Sequence, residues 1–203
     1  METGAGVRSV RPHVILLGGP NGAGKTTAAG VLLPRVISVP QFVNADSIAH
    51  GLSGFDPDSS AIPAGRLMLT RLRDLARARE SFAFETTLSS RSFATMLSSL
   101  KKEGYGVHIV YLWLDHPDLA AARVAERVRR GGHSVPDDVI RRRYHGGLSN
   151  FFDLYMPLAD SWRLYDNSGE RPLLVACRLE SDEEPVVARD DLWARLREEA
   201  KRP

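Results

Sequence analysis

A glycine-rich segment near the amino terminus, GGPNGAGKTT at residues 18–27, constrains the fold more than any other feature of this sequence. Residues 19–26 match the pattern G-x-x-x-x-G-K-[ST] at every required position. The apolar run at residues 13–17 indicates a buried strand before the segment, and residues 25–33 favour a helix after it, which Pro34 is expected to stop. A phosphate-binding loop needs this order, because glycines let backbone N–H groups turn inward and the helix adds its positive end.

The loop predicts binding of a nucleoside triphosphate. Lys25 is expected to reach the β- and γ-phosphates, and the hydroxyl of Thr26 is expected to hold Mg²⁺. ATP is favoured over GTP because the chain has no convincing Asn-Lys-x-Asp guanine signature. The alternative is a glycine-rich turn with an incidental lysine. The residues predicted to bind the nucleotide are Gly19, Pro20, Asn21, Gly22, Ala23, Gly24, Lys25, Thr26, Thr27 and Asn167.

Strands and helices are predicted to alternate along the rest of the chain. Strands are predicted at residues 13–17, 36–43, 81–84, 107–114, 162–165 and 173–178, and the main helices at 25–33, 61–75, 90–102, 117–130, 140–155 and 190–201. This order implies βαβ units. The predicted fold is therefore an α/β P-loop NTPase sandwich of three layers, with a mostly parallel sheet of five to six strands and helices on both faces. Residues 1–203 are expected to form a single domain, with a flexible leader at 1–12.

Composition narrows the function classes. The net charge of +2 gives no general excess to attract nucleic acid, so a nucleic-acid partner is not favoured. The one cysteine, Cys177, cannot form a disulfide within the chain, which is typical of a reducing compartment. The chain shows no export signal and no apolar run near the ~20 residues that span a bilayer. A soluble, cytoplasmic protein without a membrane partner is expected.

Two carboxylates follow predicted strands, Asp46 after the second and Glu85 after the third. Ligands gather beyond the carboxyl ends of parallel strands, so both side chains are expected near the loop. Transfer of a phosphoryl group to a hydroxyl needs a base, which contributes roughly 10²- to 10⁴-fold. Asp46 suits that role, and Glu85 with the adjacent Thr86 suits the holding of the acceptor. Alternatively, Asp46 caps a short helix that starts near residue 47, and Glu85 is a solvated turn residue.

Two further polar positions follow later strands. Asp115 ends the predicted strand at residues 107–114 and resembles an acid that steadies Mg²⁺ through water, but Asp115-His116-Pro117 is equally good helix-capping chemistry. Asn167 and Ser168 follow the strand at residues 162–165 and are expected beside the adenine edge, although a turn at residues 166–169 explains them nearly as well.

An arginine-rich lid is predicted over residues 123–143. Arg123, Arg127 and Arg130 are spaced by four and three residues, which places them along one side of a helix. Such cations would close over the charge that spreads across the phosphoryl oxygens, and the glycines of residues 131–136, GGHSVP, would provide the hinge. The alternative is a solvated basic helix face.

The sequence leaves the roles of the other lid residues undecided. His133 fits a surface histidine as well as a ligand contact. Of the three consecutive arginines that follow, Arg142 or Arg143 is expected to face the site rather than Arg141.

The ordered set of GGPNGAGKTT, NADSIA at residues 44–49 and FETTLS at residues 84–89 resembles the zeta-toxin family of P-loop kinases. The later segments RVAERVRRGGHSVPDDVIRRRY and LADSWRLYDNSG look like its chromosomal, zeta-like branch. The resemblance runs from about residue 13 to residue 169, and it implies a sheet like that of nucleoside-monophosphate kinases. It also implies ATP-dependent phosphorylation of the sugar 3′-hydroxyl of UDP-N-acetylglucosamine, with a separate antitoxin as a possible partner.

The resemblance assigns roles to individual residues. Asp46 matches the family's proton-accepting aspartate, Lys25 its phosphate-loop lysine, and Glu85 its acceptor-binding glutamate. The family also places two lid arginines on the ATP phosphates. Arg127 is the nearest match to the first; where the second is expected, this chain carries His133, with Arg130 close by.

Three other functions compete with this prediction. One is a kinase for a different small metabolite, such as a nucleoside or sugar. Another is a nucleotide-gated switch protein, whose slow hydrolysis would yield no phosphorylated product. The third is a kinase of RNA or DNA ends, against which the near-neutral charge argues.

Overall fold

A seven-stranded mixed β-sheet organises the part of the chain that the computed structural model describes, which is residues 11–36, 39, 41–54, 58–132 and 134–201. Five strands run parallel: β1 (His13–Gly18), β2 (Gln41–Val43), β3 (Phe82–Thr86), β4 (Gly106–Trp113) and β5 (Ser161–Asp166). Two antiparallel strands, β6 (Leu173–Arg178) and β7 (Val186–Val187), extend one edge. The spatial order is β2-β3-β1-β4-β5-β6-β7.

Seven α-helices connect and cover these strands within the described residues. They are α1 (Lys25–Val36), α2 (Ala45–Leu52), α3 (Ala61–Arg77), α4 (Ser92–Lys102), α5 (Pro117–Arg129), α6 (Asp137–Asn150) and α7 (Asp190–Ala200). The P-loop α/β fold that the sequence predicted is confirmed. None of the described helices combines the length and the apolar character that a bilayer crossing requires.

The register of β1 with its neighbours decides where a site can form. Gly18 at the end of β1 pairs with Thr86 on one side and with Tyr111 on the other. The carboxyl ends of these parallel strands therefore lie at one edge of the sheet, together with the loops that follow them. The phosphate loop, the β2–α2 turn and the end of β3 become neighbours although they are far apart in sequence.

The core forms around β4, whose eight residues are all buried. A strand covered on both faces is expected to be apolar throughout, as this one nearly is. Four aromatic residues are typical of a core: Trp113, Phe151 and Trp162 are buried, and Phe152 is partly buried against it. The ring of Phe151 stacks on Tyr111 at 4.7 Å between centroids.

Several predicted boundaries were wrong. The first helix continues through Pro34 to Val36, because a proline in the last turn removes only its own N–H from a helix that ends two residues later. Of the strand predicted at residues 36–43, only Gln41–Val43 is a strand, and residues 37, 38 and 40 lie outside the described residues. The two-residue strand β7 was missed, because Val186-Val187 within a polar segment has no periodicity to detect.

The helix predicted at residues 140–155 is divided. It begins earlier, at Asp137, and after Asn150 it widens into a π-helical turn at Phe151–Tyr155. The helix predicted to begin near Ser90 starts instead at Ser92.

Part of the predicted leader is fixed to the domain. The guanidinium of Arg11 forms an ion pair with Asp160 at 2.9 Å, and the carbonyl of Pro12 accepts a hydrogen bond from the N–H of Gly106. Residues 1–10 lie outside the described residues.

Candidate active site

The phosphate loop is pressed tightly between β4 and α5. Gly19 has a φ of +143°, and a Cβ there would overlap the carbonyl oxygen of Leu112. Gly22 has a φ of +78°, and a Cβ there would lie 2.5 Å from the carbonyl oxygen of Ala120. Only glycine combines the left-handed backbone with this close approach. The cradle that the motif predicts is therefore built, and it has room for a ligand but none for side chains at these positions.

Lys25 lies at the centre of this loop, with its side chain only 9 % exposed. Its ammonium donates to the carbonyls of Gly19 at 2.9 Å and Pro20 at 3.0 Å. Burial lowers the pKa of Lys25, and the nearby carboxylates of Glu85 and Asp46 oppose this change. The loop therefore holds the ammonium where a bound phosphate would contact it.

A polar network joins the loop to β2 and β3. The hydroxyl of Thr26 donates to the carboxylate of Glu85 at 3.0 Å, and the side-chain amide of Asn44 donates to the same hydroxyl at 3.3 Å. Burial raises the pKa of Glu85, while Lys25 and the hydrogen bond from Thr26 counteract this effect. Glu85 is thus half-buried beside the loop at the end of β3, and the alternative of a solvated turn residue was wrong.

The donor set of this network fits Mg²⁺. Magnesium prefers oxygen ligands and is usually held by one or two carboxylates, waters and substrate phosphates. Thr26 and Glu85 supply two such oxygens in contact with each other. No group of three or more His, Cys, Asp or Glu side chains placed to hold a metal occurs in the described ranges.

Asn44 is a site residue that the sequence reasoning left without a role. It is buried, and its side-chain oxygen accepts a hydrogen bond from the N–H of Ser47 at 3.1 Å, which caps α2. The signal was present in the sequence, since asparagine is among the preferred N-cap residues. Its second contact, to Thr26, joins segments far apart in sequence and had no local signal.

Asp46 lies within the first turn of α2 and is not its cap. Its side chain is 51 % exposed, and its carboxylate is 3.6 Å from the guanidinium of Arg127 on α5. The capping alternative for Asp46 was wrong, because Asn44 performs that function. The carboxylate is accessible and faces the arginine-rich helix.

These side chains line one cleft of about 750 Å³. Its residues come from the phosphate loop, α1, the end of β3, the first turn of α4, and helices α2, α3, α5 and α6. The polar residues that line it are Asn21, Lys25, Thr26, Thr27, Asn44, Asp46, Arg66, Glu85, Thr86, Thr87, Ser92, Arg123, Arg127 and Arg143. The cleft brings together the loop, both predicted carboxylates and two of the three predicted lid arginines of α5.

Arg130, predicted to be catalytic, does not line the cleft. Its guanidinium pairs with Glu126 at 2.9 Å, and its side chain is 78 % exposed. The reason is helix geometry: Arg130 follows the last residue of α5, and Glu126 one turn earlier attracts it outward. His133 lies outside the described residues.

The arginines that do line the cleft have different partners. Arg123 donates to the carbonyls of Asn167 at 2.8 Å and Ser168 at 2.7 Å, so it secures the loop after β5. Arg143 donates to the side chain of Asn21 in the phosphate loop at 3.3 Å, and burial lowers its pKa. Arg143 rather than Arg141 faces the cleft, as the sequence predicted.

Asp115, predicted to steady Mg²⁺, lies away from these groups. Its carboxylate accepts a hydrogen bond from Arg195 on α7 at 2.8 Å, and it is not among the residues that line the cleft. His116, not Asp115, occupies the N-cap position of α5. The helix-capping interpretation of Asp115-His116-Pro117 therefore holds for His116 and Pro117 rather than for Asp115, whose carboxylate pairs with the cation that α7 supplies.

Asn167 contacts the phosphate loop itself. Its side-chain amide donates to the carbonyl of Ala23 at 2.8 Å and lies close to Gly24. This contact stabilises the loop from the side of β5, and Asn167 is not among the residues that line the cleft.

The segment after Glu85 is clamped in an unusual conformation. Leu88 is fully buried with a φ of +59°, a backbone region that a branched side chain rarely adopts. Asn150 donates to its carbonyl at 2.8 Å, and the hydroxyl of Tyr155 donates to the carbonyl of Ser90. Asn150 precedes the π-helical turn and Tyr155 is its last residue, so that irregular turn orders the segment leading away from Glu85 and Thr86.

Comparison with solved structures finds the same α/β P-loop fold in other proteins. The chain superposes on the AvrRxo1-ORF1 and ORF2 crystal structure with ATP with a TM-score of 0.71 and 17 % identity, covering 93 % of this chain and 64 % of that chain. The PezAT chromosomal toxin–antitoxin system of Streptococcus pneumoniae gives a TM-score of 0.63 and 18 % identity, covering 90 % of this chain and 77 % of that chain. At these identities the likeness is one of fold, and this chain spans less than two thirds of the AvrRxo1 chain.

Sequence comparison extends this result. An uncharacterized protein of Haemophilus influenzae is 29 % identical over 126 residues, which is 62 % of this chain and 88 % of the relative. The profile of the AAA domain family AAA_33 matches residues 14–145, from β1 through the phosphate loop and α5 into α6. With most of its length matched and the cradle of that loop intact, the chain belongs to this AAA domain family.

Proposed function

We propose that the protein is an ATP-dependent small-molecule kinase that resembles the zeta toxins and transfers the γ-phosphate to a hydroxyl. The sugar 3′-hydroxyl of UDP-N-acetylglucosamine is the acceptor that the sequence resemblance favours. The observation that carries the proposal is the convergence of Lys25, Thr26, Asp46, Glu85 and Arg127 on one cleft beside a glycine cradle.

On the nucleotide side, the chain's own groups bind and orient the phosphates. The ammonium of Lys25 would exchange its carbonyl partners for phosphate oxygens, and the N–H groups of the loop would surround them. The hydroxyl of Thr26, oriented by its hydrogen bond to Glu85, would hold Mg²⁺, which supplies neutralisation of the charge on the phosphates when bound. Arg127 and Arg143 would provide the side-chain cations of the lid.

On the acceptor side, Asp46 would accept the proton of the attacking hydroxyl. Its carboxylate is exposed within the cleft and lies 3.6 Å from Arg127, so an anionic phosphate that attracts the arginine would free the carboxylate for this task. Glu85 and Thr86, at the end of β3, would orient the acceptor between Asp46 and the loop. Placing the hydroxyl and the phosphate in line is the main catalytic requirement, because phosphoryl transfer needs little covalent chemistry from the protein.

Two features support a kinase with a separate partner. The AvrRxo1-ORF1 fold is found with a second chain, ORF2, and PezAT is a toxin–antitoxin system. A separate antitoxin is therefore part of the proposal. A kinase with another acceptor is the principal alternative, and the RNA repair complex Pnkp1/Rnl/Hen1, which shares the fold with a TM-score of 0.56, keeps polynucleotide ends among the acceptors to test.

The decisive experiment is incubation of the protein with Mg·ATP and a panel of acceptors, followed by mass spectrometry for the gain of one phosphate. The panel contains UDP-N-acetylglucosamine, nucleosides, free sugars and a short RNA with a 5′-hydroxyl. A phosphorylated nucleotide sugar is the expected product. Hydrolysis of ATP without any phosphorylated product would contradict the kinase proposal and favour a nucleotide-gated switch.

A further inference from the structure

The cleft has a second wall that the nucleotide does not need. Besides the phosphate loop, α3 contributes lining residues at intervals of three and four, which is one face of a helix. These residues are Ala61, Ile62, Gly65, Arg66, Met68 and Leu69. Phe93, from the first turn of α4, lies beside this face and packs on Phe84 at 5.2 Å between ring centroids.

This wall is mainly apolar and open. Ile62 is 72 % exposed although it lies on the cleft side of α3. A Cβ at Gly65 would meet no atom within 4 Å, so the helix surface between Ile62 and Leu69 is accessible. An apolar helix face beside an exposed isoleucine can accept the flat or carbon-rich part of a ligand.

Arg66 is the one cation among the wall residues of α3 that the structure describes. Its guanidinium makes no hydrogen bond or ion pair with any residue in the described ranges. The other cleft arginines differ in this respect: Arg123 holds two carbonyls, Arg127 pairs with Asp46, and Arg143 contacts Asn21.

The charges of the cleft restrict where an anionic acceptor can lie. Asp46 and Glu85 line it, and their carboxylates repel a phosphate or carboxylate group of the acceptor. Lys25 is enclosed by the phosphate loop, where the nucleotide would bind. Arg66 therefore offers a cationic position for the acceptor that neither the nucleotide nor the cleft carboxylates occupy, and its planar fork matches an anion's oxygens.

We propose that Arg66 and the apolar face of α3 form the acceptor-specificity subsite, in which Arg66 binds an anionic group of a hydroxyl-bearing acceptor. This inference rests on the proposed kinase function. It defines the acceptor class as a molecule with a negatively charged group at one end, an apolar or planar part against Ile62 and Leu69, and the reactive hydroxyl near Asp46.

Calorimetry tests the subsite without turnover. The protein is saturated with Mg²⁺ and a non-hydrolysable ATP analogue and then titrated with UDP-N-acetylglucosamine or with neutral N-acetylglucosamine. The wild type is expected to bind the anionic ligand more tightly than the neutral one. Arg66→Gln should lose at least tenfold in affinity for the anionic ligand and little for the neutral one, and Arg66→Lys should retain part of the difference.

Arg73→Gln is the matched control, because Arg73 is exposed two turns further along α3 and does not line the cleft. It should bind both ligands as the wild type does, and the affinity of the ATP analogue should be equal in all variants. The subsite is overturned if Arg66→Gln binds the anionic ligand as tightly as the wild type, or if the wild type lacks a preference for that ligand or does not bind it. Failure of the wild type to bind the ATP analogue would instead overturn the proposed function.

Discussion

Among single residues, Lys25 gives the most direct test of the proposed nucleotide site, because its buried ammonium lies within the phosphate loop. Lys25→Ala removes the cation that faces the phosphates, so we expect loss of ATP turnover while the fold is retained. Turnover of ATP measured with a coupled assay, together with circular dichroism, checks this result. A folded variant with normal turnover would contradict the assignment of the loop.

Asp46 is the proposed proton acceptor, and it lines the cleft. Asp46→Asn keeps the shape and removes the proton acceptor, so phosphoryl transfer should fall by roughly 10²-fold or more while ATP binding is retained. Single-turnover kinetics and nucleotide titration measure the two effects separately. Asp74→Asn, an exposed position on α3 that pairs with Arg77, is the control and should have no effect. Wild-type transfer rates in Asp46→Asn would remove it from the mechanism.

Substitution of Arg127 tests the proposed role of the lid. Its guanidinium lies 3.6 Å from Asp46 and lines the cleft, whereas the guanidinium of Arg130 pairs with Glu126 outside it. Arg127→Ala should therefore slow transfer more than it weakens ATP binding, and Arg130→Ala should change neither. Measurement of kcat and of the nucleotide Kd for both variants separates an effect on transfer from an effect on ATP binding. Equal effects of the two substitutions would argue against the lid geometry.

Among the elements, α2 is joined to the candidate site through its N-cap residue. Asn44 caps the helix and also donates to Thr26. Asn44→Ala should cost about 1 kcal/mol in the free energy of unfolding through the lost cap. Asn44→Ser should restore most of that stability, because serine caps well, but its shorter side chain removes the amide donor to Thr26.

Urea unfolding and transfer rates measured on both variants separate these two functions. We expect the serine variant to be stable and slow. If it transfers phosphate at the wild-type rate, the contact between Asn44 and Thr26 is structural and does not contribute to the site.

At the scale of the whole molecule, a histidine pair lies where the central strands β1 and β4 begin, at the end of the sheet away from the cleft. The rings of His13 and His108 share a hydrogen bond of 2.9 Å, and His108 also bonds to the hydroxyl of Ser161 at 2.8 Å. Burial, reinforced by His13, lowers the pKa of His108 from 6.5 to about 4. The unfolded chain therefore binds a proton at His108 more readily than the folded chain does. The contribution of neutral His108 to the free energy of unfolding is fully present above pH 6.5 and is lost as the pH falls toward 4.

Chemical denaturation between pH 7.5 and 4 measures this loss, and the shift in pKa sets an upper limit of about 3 kcal/mol for it. His108→Gln should flatten the pH dependence, leaving the smaller part due to His13, whose pKa is also lowered. His50→Gln, at an exposed position on α2, should leave the curve unchanged. An unaltered curve in His108→Gln would exclude the pair as its origin.

The sequence alone determined the features that depend on neighbouring residues. The phosphate loop, the alternation of strands and helices, and the helix start at Pro117 follow from local backbone preferences and from periodicity, and the structure confirms all three. The same local reasoning failed for the short strand β7 and for the π-helical turn, because two-residue strands and irregular turns are decided by what packs against them.

Only the tertiary structure decided which side chains meet. Thr26 and Glu85 are 59 residues apart, and Asn21 and Arg143 are 122 residues apart, yet each pair is in contact. Asp115 and Arg130 had suitable positions in sequence but were drawn to Arg195 and Glu126, since an exposed charge pairs with whichever opposite charge the packing places nearby. Such pairings depend on the register of the sheet and the placement of distant helices, which no local pattern specifies.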